Sequence, residues 1–146
     1  MSVKEIKSLE RRWMKEWNKG KAAAMVAIDE LFATDFVEHG GTGEDAVGIK
    51  GYKKSVSDVC RAFPDINITI DDMVVEGDKV AVRFTFSGTH KGKFMGVPPT
   101  NKKVKMWGLY IDRVAGGKFV ESWTRYDTLG LMKQIGQAPT LGKGGK

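Results

Sequence analysis

The chain has 146 residues, 41% hydrophobic and 29% charged, which fits one domain with an ordinary core and excludes a disordered or fibrous class. A formal charge of +6 comes without zinc-finger, helix-turn-helix or RNA-recognition spacing, so it offers a modest attraction for anionic substrates and excludes a nucleic-acid reader. The single cysteine, Cys60, excludes an internal disulfide; with no signal-peptide-like start and no apolar run of membrane length, a cytoplasmic protein without a membrane partner is expected.

In chain order, Val3, Ile6, Leu9, Trp13 and Trp17 recur at helical spacing and predict a first amphipathic helix ending near Gly20. A second helix is predicted from about 21 to 32, with Met25, Ile28, Leu31 and Phe32 on its inner side. Thr34 and Asp35 break that pattern, and Phe36 to His39 read as a short extended piece before a glycine-rich loop over 40–45. A third helix carries Ile49, Tyr52, Val56, Val59, Cys60 and Phe63 on one face and stops at Pro64.

The rest reads as sheet. Residues 66–70 alternate, and 73–75 continue them after two acids that suggest a bulge. Residues 79–90 alternate with Val80, Val82, Phe84 and Phe86 on the presumed buried side. A long loop over 91–101 leads to strands over 102–114 and 118–126, joined by a glycine turn. Helices first and antiparallel strands afterwards predict an α+β fold. Three N-terminal helices would pack on the concave face of a curved, cone-shaped sheet, followed by a short C-terminal helix. Residues 1–136 are expected to form the single cone domain and 137–146 a flexible tail. Such a cone has one pocket at its wide end.

The stretch Glu121-Ser122-Trp123-Thr124-Arg125-Tyr126-Asp127 ends a strand on an acid where a helix begins. Alternation puts Glu121, Trp123, Arg125 and Asp127 on one face and Ser122, Thr124 and Tyr126 on the other. Asp127 is therefore either a general acid/base, its proton affinity raised in a hollow beside Trp123, or the N-cap of the helix. Arg125 on the same face would instead favour the ionised carboxylate, unless a bulge turns it away or it orients the acid. His39 and His90, the two histidines, are candidates to hydrogen-bond a developing oxyanion, or else solvated residues at strand ends; His90 has the parity of the buried side. They lack the spacing of a metal site. Trp107, Trp123, Tyr52, Phe63, Phe94 and Met95 are candidate pocket walls, with core packing as the alternative for each. Trp13 and Trp17 read as core or dimer contacts.

Several ordered segments carry a resemblance: Phe63-Pro64-Asp65, Glu76-Gly77-Asp78-Lys79-Val80, Gly88-Thr89-His90-Lys91-Gly92, Gly96-Val97-Pro98-Pro99-Thr100-Asn101 and Glu121-x-Trp123-x-x-x-Asp127 running into Leu129-Gly130-Leu131-Met132-Lys133-Gln134-Ile135-Gly136. From the second helix to Gly136 the chain resembles the SnoaL-like polyketide cyclases, also called ester cyclases, of the nuclear transport factor 2-like fold. The resemblance implies an α+β cone, a homodimer, and no metal or organic cofactor. It also implies intramolecular aldol ring closure on an aromatic polyketide ester, with Asp127 as general acid/base and His39 and His90 lining the pocket. The expected function is a cofactor-free cyclase, or a related lyase or isomerase, acting on a small apolar or aromatic carbonyl-bearing molecule. The alternative is a non-catalytic binder of such a molecule.

Overall fold

A computed structural model describes residues 1–41 and 44–137; the tail expected to be flexible lies outside the described residues from 138 onward. Ser2 opens α1 (Val3–Asn18) through a capping box, its hydroxyl accepting from the Glu5 N–H at 3.1 Å while the Glu5 carboxylate accepts from the Ser2 N–H at 3.3 Å. The stripe that α1 buries is Ile6, Glu10, Trp13, Met14 and Trp17, four apolar residues and one carboxyl. Gly20, with φ at 109°, turns the chain into α2 (Lys21–Leu31).

The extended piece after α2 is longer than the sequence pattern suggests. Strand β1 runs Phe32–Gly40, and its pairing shifts register between Phe32 and Val37, so the exposed Thr34 and Asp35 that break the pattern sit in an irregularity within the strand. A two-residue strand β2 (Ala46–Val47), too short to show a period, pairs with β1 and leads into α3 (Gly48–Ala62). The remaining elements are β3 (Asn67–Glu76), β4 (Lys79–Thr89), β5 (Lys103–Ala115), β6 (Lys118–Tyr126) and α4 (Thr128–Gln134). The shift in β3 pairing falls between Ile70 and Asp72, at the two acids where the alternation breaks.

These strands form one curved sheet in the order β2-β1-β6-β5-β4-β3. It is mixed: β1 runs parallel to β6, and every other pair is antiparallel. Helix α1 packs against β3, α3 against β1, and α4 against β5. At the β1 end, Phe32 lies 4.8 Å, centroid to centroid, from both Phe36 and Phe119, with Trp13 and Tyr52 completing the aromatic core. The inner faces of β4 and β5 bury Val80, Val82, Phe84, Phe86, Val104, Met106, Tyr110 and Asp112, while Trp107, Leu109 and Ile111 stand exposed on the opposite face.

The loop over 91–101 is anchored at both ends by His90. Its backbone N–H donates to Lys102 O at 2.9 Å, and its carbonyl accepts from the Asn101 N–H at 2.8 Å. The adjoining corner is fixed by Asp65, whose carboxylate accepts from the Thr89 N–H at 2.7 Å and hydroxyl at 2.6 Å. Those hydrogen bonds hold Asp65 below the usual carboxylate range.

Candidate active site

Between α1, α3 and the inner face of the sheet lies a cavity of about 110 Å³. Its walls are apolar and largely aromatic, supplied among others by Trp17, Tyr52, Phe63, Phe84, Phe94 and Tyr126. Behind it is a smaller chamber of about 90 Å³ that shares Trp17, Glu38, Tyr52 and Thr124 with it and adds Tyr110, Asp112 and Ser122. A polar groove outside, between 44–47 and 93–96, shares Ser55, Val59 and Phe94 with the cavity. A Cβ at Gly108 would fall 2.7 Å from Phe84 Cζ and from Tyr126 Cβ, so only glycine leaves these two rings their places beside the cavity.

Glu38 is the acid common to both chambers. It sits two residues after Phe36 on β1, so strand alternation turns both inward. The Thr124 hydroxyl donates to Glu38 Oε2 at 3.3 Å. Burial among apolar walls, helped by the charge of Asp112, pushes the Glu38 carboxyl up to about 7, while the Thr124 hydrogen bond opposes that rise. A carboxyl group with that affinity takes and returns a proton near neutral pH. Tyr126, also on the cavity wall, is pushed up to about 12, first by burial and then by the Glu38 charge, so its hydroxyl stays a hydrogen-bond donor.

The residues expected from sequence fall into three settings. Tyr52, Phe63 and Phe94 line the cavity, and Met95 borders the outer groove instead, 46% exposed. Trp123, Arg125 and Trp107 lie on the other face of the sheet, because the alternation that turns Thr124 and Tyr126 inward turns their neighbours out. Asp127 is exposed and caps α4, its Oδ1 accepting from the Gly130 N–H at 2.8 Å. Arg125 does not pair with it; its guanidinium donates to the Thr124 carbonyl at 2.8 Å, beneath Gly40, where a Cβ would collide with Arg125 Nη1.

The histidines are both engaged outside the cavity lining. His39 lies between two carboxylates on the outer face, Nε2 2.7 Å from Glu121 Oε2 and Nδ1 3.0 Å from Asp45 Oδ2, with its ring stacked on Trp123. Glu121 first and Asp45 second raise its proton affinity. His90 is fully buried, its Nδ1 accepting from the Thr100 N–H at 3.3 Å and lying 3.0 Å from the Thr100 hydroxyl. That geometry leaves the ring proton on Nε2, which has no partner among the described residues.

Sequence reasoning passed over Glu38, Glu10, Asp112, Tyr110, Ser122 and Thr124. Three of them are charged residues that interrupt an apolar pattern: Glu10 in the buried stripe of α1, Asp112 at the buried parity of β5, Glu38 two residues after Phe36. A charged residue at a position whose periodicity demands burial is the signal that identifies them. Among the described residues no group of three His, Cys, Asp or Glu is placed to hold a metal ion. No described helix is long and apolar enough to cross a membrane.

No curated protein matches the chain by sequence. Solved structures do. IdmH of Streptomyces antibioticus, a proposed polyketide cyclase, is 32% identical, with 89% of this chain and 97% of that one covered at a TM-score of 0.75. AclR of Streptomyces galilaeus, a proposed hydroxylase, is 29% identical over 94% of this chain and 100% of that one, at 0.82. A proposed SnoaL-like polyketide cyclase from a Jannaschia species, 22% identical, shares the fold over 95% of this chain and 98% of that one, at 0.86. The curved mixed sheet with its packed helices is thus a nuclear transport factor 2-like fold. With residues 7–135 matching the family's sequence pattern across all of these elements, the chain belongs to the SnoaL-like polyketide cyclases.

Proposed function

We propose that the protein closes a ring in a small apolar or aromatic carbonyl-bearing molecule by intramolecular aldol addition, with Glu38 as general acid/base. The observation that carries this reading is a single carboxyl group, poised near neutral, at the wall of an otherwise apolar cavity. The ionised Glu38 takes a proton from the carbon next to a carbonyl, and the enolate so formed attacks a second carbonyl of the same molecule. One carbon–carbon bond forms, and the resulting alkoxide recovers a proton from Glu38. In this scheme Tyr126, from the cavity wall, donates a hydrogen bond to the enolate oxygen. One carboxyl group supplies both proton transfers, so the reaction as proposed needs neither metal nor organic cofactor. Asp127, capping α4 in solvent, has no part in this scheme.

The outer face of the sheet supports a homodimer. Trp107, Leu109, Ile111 and Trp123 are exposed on adjacent strands, with Ile111 and Trp123 directly opposite each other. Charges of both signs border them, including Arg83, Arg113, Asp71 and Glu121, which suits a two-fold contact between copies.

The test is incubation with a polyketide-containing metabolite extract followed by mass spectrometry. The wild type is expected to deplete one compound and yield an isomer or its dehydrated form. Glu38→Gln is expected to retain that compound in the pocket while converting it at least ~100-fold more slowly. A compound that co-purifies with the wild type and is recovered unaltered would favour non-catalytic binding instead.

A further inference from the structure

The reaction above uses the carboxyl group at the cavity wall, and the core encloses two more behind it. The other two, Glu10 and Asp112, are only 0% and 4% exposed, and none of the ion pairs among the described residues includes either. Two unpaired charges at such depth would be costly, so their hydrogen bonds must dispose of one of them. Polar groups line the way from that pair to the active site. The Tyr110 hydroxyl donates to Glu10 Oε2 at 2.8 Å, and the Glu10 carboxyl adjoins that of Asp112, so that a hydrogen bond joins them once one of the two is protonated. Ser122, opposite Asp112 in the β5–β6 register, is hydrogen-bonded to it. Ser122 Oγ in turn lies 3.4 Å from Thr124 Oγ1, which donates to Glu38. Asp112, Ser122, Thr124 and Glu38 all face the inner chamber.

A hydrogen bond between two carboxyl groups contains one proton, and the geometry says which of them holds it. Glu10 Oε2 is an acceptor for Tyr110, and Glu10 Oε1 is buried with no donor to accept from. Oε1 is therefore the oxygen that carries the proton. Asp112, accepting from Glu10 and Ser122, keeps the negative charge.

Resting on the assignment of Glu38 as acid/base, we propose that Asp112 is a positioning residue for it: Asp112 maintains one negative charge behind the Glu38 carboxyl, sustained by the proton that Glu10 holds and donates. The ionisable groups facing this region are Glu10 from α1, Tyr52 from α3, Tyr110 and Asp112 from β5, and Tyr126 from β6, all of them acids. Asp112 is the charged group among the described residues that acts on Glu38, and its charge favours the protonated form. The pair thus helps keep Glu38 able to both accept and return a proton at neutral pH.

The test needs no substrate. In full-length protein carrying ¹³C at the glutamate side-chain carboxyls, the Glu38 signal, assigned by its loss in Glu38→Gln, is followed against pH. The wild type is expected to titrate at about 7. Asp112→Asn, which keeps the shape and removes the charge, is expected to lower that midpoint by roughly one pH unit. Glu10→Gln presents an N–H to Asp112 and an oxygen to Tyr110, imitating the protonated acid, and is expected to leave the midpoint where the wild type has it. An unmoved midpoint in Asp112→Asn, or one displaced as far in Glu10→Gln, would overturn the proposal. Should Asp112→Asn fail to fold, the wild type carrying ¹³C at the aspartate carboxyls decides: an Asp112 signal that is ionised at pH 7 supports the proposal, and one that is protonated there overturns it. A wild-type Glu38 that titrates like an ordinary glutamate would sink the acid/base assignment itself, a separate outcome.

Discussion

Glu38 lies on β1 and Asp127 just past the end of its neighbour β6, and their surroundings differ. Glu38 faces apolar walls, a hydroxyl and a buried acid, while Asp127 faces solvent and the first turn of α4. Desolvation disfavours the charged form of the first, whereas the second spends its carboxylate satisfying a helix N–H. Asp127→Ala therefore removes a cap and should lower stability by about 1 kcal/mol in urea denaturation, whereas Asp127→Ser, which caps as well, should avoid most of that loss. Neither variant should change turnover more than a few-fold. His39 makes a related point: its two carboxylate partners and stacked tryptophan hold it in an ion-pair cluster on the outer face.

At the scale of elements, much of the architecture is readable because each long strand declares its buried parity. Val80, Val82, Phe84 and Phe86 repeat every second residue and are buried, and the break at two acids in β3 marks an irregular register. The candidate site was less readable, for a physical reason. The strand 118–126 has tryptophan on one face and serine, threonine and tyrosine on the other, and hydrophobicity alone points the tryptophan inward. In the folded protein the polar face meets the cavity, and Trp123 joins Trp107, Leu109 and Ile111 outside. Only the partner strand resolves the choice: Tyr110 and Asp112 on β5 share the inner side with Thr124 and Ser122 in register. His90 belongs at this scale too, as the anchor of the 91–101 loop. His90→Phe should fill its place against Phe63 but abandon the Thr100 hydrogen bonds. Amide exchange should accelerate across that loop while β4 and β5 keep their protection, at a cost of about 1–2 kcal/mol.

Over the whole molecule, enclosing acids in the core couples stability to pH. Below roughly pH 4.5 the Glu38 carboxyl is protonated whether the chain is folded or not. As pH rises toward 7, the unfolded chain releases that proton while the folded one retains it, so stability falls through this window. The full effect of the shift is on the order of 3 kcal/mol by linkage, and Glu38→Gln should remove that part of the slope. The raised affinities of Glu10 and Asp112 act in the same direction. The most direct test of the account is to compare turnover by Glu38→Gln and Asp127→Asn, with binding measured alongside, on the compound that the wild type consumes. The account predicts that Glu38→Gln binds without converting and that Asp127→Asn converts at close to the wild-type rate. An active Glu38→Gln beside an inactive but folded Asp127→Asn would contradict it.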